Sequence, residues 1–175
     1  MIEIIKAKLE DAEGIQEVQY YTWLKTYPNE KLGIVKEDIE ERFKDRLSEE
    51  KLAKRREEIL HPISGAMFVA KENGRVIGFC KTGLLEGNNE IQAIYVLPEY
   101  QGKGIGKILW NEAQKSLNPQ KNTVVHVATY NENAIAFYKK LGFGDTGKRW
   151  EDEKFRMKRN GAAIPEMEVI RKTNV

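Results

Sequence analysis

The feature that most constrains this chain is a glycine-rich run between two apolar patterns. Residues 101–107 read Gln-Gly-Lys-Gly-Ile-Gly-Lys, after the apolar stretch 91–97 and before apolar residues at helical spacing from Ile105 to Leu117. This order predicts a strand, a loop and a helix. The glycines allow close approach of the backbone, and the loop N–H groups join those of the helix N-terminus, a geometry that binds pyrophosphate. Lys103 and Lys107 add positive charge beside it.

Two familiar phosphate loops do not fit this run. A Walker A loop needs glycine five residues before its Gly-Lys pair, where this chain has Gln101, and Ser or Thr after the pair, where it has Ile108. A dinucleotide fingerprint from Gly102 needs glycine at position 107 and an acidic residue about twenty positions further on, where His126 lies. The plain alternative is a glycine-rich turn that only starts a helix. The flanking strand and helix favour the phosphate interpretation.

Two blocks of the sequence resemble signatures of the GNAT N-acetyltransferases. Residues 94–106 resemble the family's acyl-CoA loop, Gln/Arg-x-x-Gly-x-Gly/Ala, which Gln101, Gly104 and Gly106 match. Residues 131–143 are similar to the family's Asn-x-x-Ala-x-x-Phe-Tyr-x-x-x-Gly-Phe signature. The blocks are independent and follow in the family's order, so their joint occurrence is more specific than either alone.

The resemblance implies acetyl-CoA as co-substrate, with its pantetheine arm bound to the backbone of the strand before the loop. The loop reads only the pyrophosphate and the arm, so succinyl-CoA or a longer acyl donor stays open. The implied cofactor contacts are Ile94, Tyr95, Val96, Gln101, Gly102, Lys103, Gly104, Ile105, Gly106, Lys107, Asn133 and Tyr138.

Acetyl transfer to an amine needs a group that protonates the departing thiolate, and the resemblance implies Tyr138 for this role. Tyr138 also shares an apolar helical face with Ala134, Phe137 and Leu141. A purely packing role is therefore the alternative.

The amine must also lose a proton, and Glu90 is the candidate base. It stands eleven residues before Gln101, and the resemblance implies a role there because a catalytic glutamate occupies this place in the histone-acetyltransferase branch of the superfamily. The strand after it is apolar, which would raise the pKa of a carboxylate into a useful range. Alternatively, Glu90 is an exposed carboxylate that ends a turn, and bound water is the base.

Length and composition fit one enzyme domain over residues 1–175. The chain is 41% hydrophobic and has one cysteine, so a core forms without disulfides. The 29 Lys and Arg against 27 Asp and Glu give no case for a nucleic-acid or membrane-surface protein. With neither a signal peptide nor a long apolar span, we expect a cytoplasmic protein, and a homodimer is compatible with this interpretation.

Periodicity predicts a mixed α/β fold. The resemblance makes this a GNAT-like, mostly antiparallel sheet of about seven strands flanked by helices. Asn73-Gly74 between two β-rich runs is a type I′ hairpin signal, and Val35, Ile39, Phe43 and Leu47 recur every four residues in a helical cap. The predicted strands are 2–7, 66–72, 75–85, 90–97, 123–129, 143–150 and 164–171, with helices from Asp11 to Pro28, over 48–60, after the loop and over 133–141.

Other residues carry weaker signals. Tyr20, Trp23 and Tyr27 form a helical stripe that would wall the acceptor site or, more often for such a pattern, belong to the core. His61 and His126 have no second ligand at metal spacing, so no metal is expected. Cys80 lacks a base partner and is read as a small buried residue. Carboxylates near the acceptor mouth, which would attract a cationic amine, are Glu30, Glu37, Asp38, Glu86 and Glu90.

The sequence thus predicts an enzyme that moves the acetyl group of acetyl-CoA directly to a primary amine. The acceptor is a polyamine, another small-molecule amine, or a protein or peptide amine. The alternative is a non-catalytic acyl-CoA-binding module or sensor, which would need the phosphate loop and neither acid nor base.

Overall fold

Seven strands form one mixed sheet at the centre of the protein, described by a computed structural model over residues 1–62 and 65–173. The strands are β1 (Ile2–Lys6), β2 (Met67–Glu72), β3 (Arg75–Leu85), β4 (Asn88–Val96), β5 (Thr123–Ala128), β6 (Gly144–Glu151) and β7 (Pro165–Arg171). Their spatial order is β1-β2-β3-β4-β5-β7-β6. Among these strands β4 and β5 pair in parallel and the other neighbours pair antiparallel. The predicted fold class is confirmed.

Helices cover both faces of the sheet. They are α1 (Ala12–Thr26), α2 (Lys36–Phe43), α3 (Glu49–Leu60), α4 (Ile105–Ala113) and α5 (Glu132–Lys140). The every-fourth-residue pattern predicted for the cap holds through Phe43 and ends there, because a turn separates α2 from α3. The Ser48 hydroxyl then caps α3 by accepting from the Lys51 N–H at 3.4 Å. Leu47, the last residue of the pattern, is therefore 40% exposed.

The turn between β2 and β3 has the predicted type I′ conformation. Asn73 and Gly74 both have positive φ, at 50° and 80°. This backbone matches the right-handed twist of the flanking strands, so the turn fixes the hairpin that carries the centre of the sheet.

Each face of the sheet has a core of its own near β5, while a third and larger cluster contains residues of both α1 and α4, packed with residues of β2 and β3. On one, here called the α5 face, residues of α4 and α5 pack on β4, β5 and β7, including Trp110, Tyr138 and Val125. On the other, the α1 face, residues of α1 and α2 pack near the end of β5, including Trp23 and Ala128. Since side chains alternate along a strand, neighbouring residues of β5 belong to different cores.

Candidate active site

The two parallel strands separate halfway along their length. Within the described strands, β4 pairs with β5 only at Asn89, Glu90 and Ile91, and residues 92–96 pair with β3 alone. The closed end is fastened by the buried Asn89 amide, which donates to the carbonyl oxygens of Asn118 at 2.8 Å and Lys121 at 3.1 Å. Beyond it, the edge of β4 is open to another hydrogen-bonding partner.

A β-bulge in β4 decides which side chains border this gap. Lys81 pairs with Ala93 and Thr82 with Ile91, so Gln92 is an extra residue. Ile91 and Ile94 would face opposite ways in a regular strand, yet both pack in the α5-face core. Tyr95 accordingly packs with the aromatic residues of the α1 face. The apolar run gave no sign of this bulge.

The glycine-rich loop forms the predicted connection between β4 and α4. Gly102 and Gly104 have φ of 77° and 81°, a left-handed backbone that favours glycine. The Gln101 side-chain amide donates to the Val96 carbonyl at 3.0 Å, which ties the loop to the strand end. The first N–H groups of α4 have no acceptor inside the helix and are left for an anion.

A cavity of about 970 Å³ extends from this loop through the gap between β4 and β5. It is lined from the α5 face by Phe137 and Tyr138, and from the α1 side by Thr22 and Tyr27. Its size suits a large co-substrate. The predicted cofactor residues that line it are Ile94, Tyr95, Val96, Gln101, Gly102, Gly104, Ile105, Gly106, Lys107, Asn133 and Tyr138.

Two predicted site residues lie outside the lining of this cavity. Lys103 directs its ammonium toward the Tyr100 ring, 4.8 Å from the centroid. The Glu90 carboxylate accepts a hydrogen bond of 2.9 Å from the side-chain amide of Gln92, which does line the cavity. Any influence of Glu90 on the cavity therefore passes through Gln92 or a solvent molecule.

Tyr138 both packs in the core and lines the cavity, the two placements considered for it from the sequence. Its ring packs edge-on against Phe143, with centroids 5.5 Å apart, and the residue is 6% exposed. It also lines the cavity where β4 and β5 separate. Burial, with smaller contributions from Cys80 and Tyr95, raises the pKa of its hydroxyl well above the usual value. The hydroxyl therefore stays protonated and available as a donor.

The aromatic stripe of α1 divides between core and cavity. Trp23 is 5% exposed and belongs to the α1-face core, and Tyr20 packs against Phe43. Tyr27 lines the cavity, its carbonyl oxygen accepts from the Tyr130 hydroxyl at 2.9 Å, and its side chain interacts with that of Tyr95. The Trp23 indole N–H also donates to the Tyr95 hydroxyl at 3.3 Å, so these rings form one bonded group.

A carboxylate not identified from the sequence lies near this group and outside the cavity lining. Glu166 of β7 is partly buried, and its charge contributes to raising the pKa of Tyr27 and Tyr95. Burial, and then Asp152, raises the pKa of Glu166 itself to about 7. No ion pair between described side chains includes Glu166. The alternation Glu166-Met167-Glu168-Val169 could have indicated this carboxylate from the sequence. Side chains alternate along a strand, so the two acids share the face opposite to that of Met167 and Val169.

The carboxylates predicted near the mouth have other environments. Asp38 is buried and ion-paired to Arg159 at 2.9 Å, and hydrogen bonding from that guanidinium lowers its pKa. It also accepts from the Val35 N–H at 2.9 Å, which fixes the start of α2. Glu30, Glu37 and Glu86 are exposed and outside the cavity lining.

Two residues set aside in the sequence take different places. Cys80 is fully buried, and burial raises the pKa of its thiol to about 12. The side chain therefore stays protonated and unreactive. His126 lines the cavity, and Nε2 lies 3.7 Å from Oε2 of Glu168. Among residues 1–62 and 65–173, no group of His, Cys, Asp and Glu is gathered that could hold a metal ion.

Fold and site together define the class of protein, an acyl-CoA-dependent transferase. Three features suit this class: a pyrophosphate loop at a helix N-terminus, an open strand edge beside it and a cavity through the sheet. The acetyltransferase (GNAT) family profile matches residues 19–143. The chain belongs to the GNAT family of acetyltransferases, and acetyl-CoA is its co-substrate. The alternative of a non-catalytic acyl-CoA-binding module is not favoured.

Similarity to two proteins of Thermoplasma acidophilum extends over most of the chain, and similarity to a third protein over about half. Spermidine N(1)-acetyltransferase of Thermoplasma acidophilum is 32% identical over 148 residues, 81% of this chain and 88% of that protein. The crystal structure of PaiA N-acetyltransferase from the same organism, in complex with coenzyme A, superposes with a TM-score of 0.75 at 26% identity, covering 98% of this chain and 99% of that one. Peptidyl-lysine N-acetyltransferase YjaB of Escherichia coli is 35% identical over 82 residues, 47% of this chain and 51% of that protein.

The described part of the chain contains no helix long and apolar enough to span a membrane. The family assignment confirms the predicted N-acetyltransferase. The roles of the individual site residues stay predictions.

Proposed function

We propose that this enzyme acetylates a small amine that carries a further positive charge, of the polyamine class. The observation that carries the proposal is Glu166, a partly buried carboxylate beside the tyrosines of the cavity. A buried carboxylate without a cationic partner costs free energy, which an incoming ammonium group would recover. The rings of Tyr27, Tyr95 and Tyr130 add electron-rich surface that attracts a cation.

Similarity supports the same acceptor. The Thermoplasma protein named as a spermidine acetyltransferase aligns with most of this chain, whereas the peptidyl-lysine enzyme aligns with about half. A recess that lies partly within the sheet also suits a slender chain of methylene groups and amines. Its walls include Thr22, Lys25, Thr26, Tyr27 and Tyr130.

On the donor side, we propose that the open edge of β4 and the loop hold acetyl-CoA. Ile94 and Val96 stand two residues apart and direct their backbone groups to the same edge, away from β3. Gly102, Gly104 and the start of α4 receive the pyrophosphate, with Lys103 and Lys107 supplying charge. Tyr95 and Asn133 complete the contacts, and Tyr138 protonates the departing thiolate.

The acceptor amine must lose a proton before it attacks. Glu90 or a water molecule was predicted for this task, and the hydrogen bond from Gln92 to Glu90 is compatible with action through one intervening molecule. The single domain over residues 1–175, the cytoplasmic location and the homodimer stay predictions of the sequence.

The direct test is a CoA-release assay with acetyl-CoA and a panel of amines. The panel contains spermidine, spermine, a monoamine of equal length, a lysine peptide, free amino acids and an antibiotic amine. We expect kcat/KM to be highest for the polyamines. A preference for the lysine peptide would move the enzyme to protein acetylation, and turnover of none would contradict the proposed acceptor class.

A further inference from the structure

The α1 face of the gap contains a histidine that the sequence did not connect with catalysis. His126 comes directly after Val125, the last β5 residue paired with β4. It is therefore the first residue of β5 where the strands have separated. Its side chain is 29% exposed and lines the cavity.

The environment of His126 holds its ring in place. Trp150 packs edge-on against the imidazole, with centroids 4.6 Å apart. Glu168 is its paired residue on β7, and Oε2 lies 3.7 Å from Nε2. The Glu168 side chain is 9% exposed and is held by the Lys148 ammonium at 3.1 Å. The edge of the Trp150 ring and the Glu168 carboxylate therefore restrict the orientation of the imidazole.

Neighbouring groups leave the imidazole available. Among described residues, neither ring nitrogen of His126 has a hydrogen-bonding partner, and its ion-pair neighbour is Glu168. Tyr138 lies on α5, and alternation places His126 on the opposite face of β5 from Val125 and Val127. An acid and a proton acceptor would thus stand on the two sides of the gap. Titratable groups on the surrounding elements are Lys25, Tyr27, Glu90, Tyr95, Tyr130, Lys148, Glu166 and Glu168.

We propose that His126 is the residue that accepts the proton of the acceptor amine, with Glu168 as its positioning residue. The ammonium group of the acceptor passes one proton to the imidazole, and the amine nitrogen then bonds to the acetyl carbonyl carbon. The carbon–sulfur bond breaks, its electron pair stays on sulfur, and the Tyr138 hydroxyl protonates the sulfur. The second nitrogen proton restores Tyr138, and His126 releases its proton to solvent. No oxidant or reductant is required.

This inference rests on the proposed transfer to a cationic amine, and its first test is the pH dependence of kcat/KM. We expect His126→Gln to lower kcat/KM roughly 100-fold near neutral pH, within the usual range for a lost general base. The deficit should shrink at alkaline pH, where more of the amine is already deprotonated. CoA affinity should not change. The matched control is His61→Gln, because His61 is 71% exposed and lies outside the cavity lining.

A second measurement does not depend on turnover. The chain has two histidines, so NMR signals of the imidazole protons are assigned by comparing the two variants. Titration of spermidine into the complex with CoA should shift the His126 signal and leave that of His61 in place. Glu168→Gln should lower kcat with little change in KM, as expected when the ring is less well held.

Several results would overturn the assignment. The first is a pH profile of kcat/KM for His126→Gln that overlays that of the wild type. The second is a loss of the acid-side pH dependence of kcat/KM in Glu90→Gln and not in His126→Gln, which would return the role of base to Glu90. If His126→Gln does not bind CoA, His126→Asn is measured in its place. If wild-type enzyme acetylates only a lysine peptide, the proposed polyamine class fails while His126 is tested with that peptide.

Discussion

The part of the cavity proposed to receive acetyl-CoA, here the cofactor part, and the part proposed to receive the amine, the acceptor part, are built in different ways. The cofactor part uses backbone groups of one continuous segment, from Ile94 through the loop to the start of α4. The acceptor part uses side chains from separate regions of the fold: Tyr27 directly after α1, Tyr95 of β4 and His126 of β5 line the cavity, and Glu166 of β7 lies outside that lining.

This difference determines how each part responds to substitution. Backbone groups persist when side chains change, so the cofactor part fails only when the path of the chain is disturbed. The acceptor part depends on individual functional groups, and one substitution there alters a rate or an affinity without affecting the rest. Three substitutions test this contrast, beginning with the largest expected effect.

Gly104→Val should abolish binding of both acetyl-CoA and CoA. Valine at φ of 81° is strained by roughly 1–2 kcal/mol, and its branched side chain would stand where the pyrophosphate approaches. Calorimetry measures the affinity, and a thermal melt shows whether ligand still raises Tm. Gly147→Val is the control, because Gly147 has φ of 84°, similar open surroundings and no place in the cavity lining. Equal loss of binding in both variants would show that strain alone is responsible.

Tyr138→Phe should lower kcat roughly 10- to 1000-fold while acetyl-CoA affinity changes little. The ring keeps its packing against Phe143, and only the proton donor is lost. Single-turnover kinetics isolates the chemical step. Tyr21→Phe, on an exposed side chain, is the control. An unchanged single-turnover rate would assign Tyr138 to the core alone.

Glu166→Gln should raise the KM for spermidine roughly tenfold, corresponding to ~1.4 kcal/mol of binding, and change the KM of a monoamine less. The pKa of Glu166 is raised to about 7, so its carboxylate is charged above that pH and neutral below it. The KM ratio of variant to wild type should therefore grow as pH increases through 7 and approach one at lower pH. Glu49→Gln removes an exposed charge on α3 as the control.

A KM ratio that does not depend on pH would detach Glu166 from the acceptor. If the monoamine and spermidine were affected equally, Glu166 would not distinguish a second positive charge. In either case the tyrosines of the cavity would remain as the surface that contacts the amine.

Much of the cofactor part could be predicted from the sequence because it is local. Gln101, Gly104 and Gly106 lie within six residues, and the strand and helix around them follow from short-range periodicity. Asn73-Gly74 fixed its own turn in the same way. All of these features depend on neighbours along the chain, so a single sequence contains the necessary information.

The acceptor part could not be predicted because its members meet only through the sheet. Glu166 lies near enough to influence the charge state of Tyr27, 139 positions away in sequence, because β7 is inserted between β5 and β6. The apolar pattern of residues 91–97 indicated neither the separation of β4 from β5 nor the extra residue at Gln92. His126, considered only as a metal ligand, shows the same limit, since its relation to Glu168 depends on strand pairing.

The bulge at Gln92 makes the length of β4 matter more than its composition at that point. Deleting Gln92 would remove the bulge while Ala93 and Ile94 stay paired with Lys81 and Cys80, so the side chains beyond it would keep their faces, but β4 would lose its local bend and extra twist. Substituting Gln92 leaves the number of residues in β4, and therefore the bulge, intact. Through evolutionary drift, the identity of this position can therefore vary widely, whereas a one-codon deletion would straighten β4 beside the gap and favour its closure against β5.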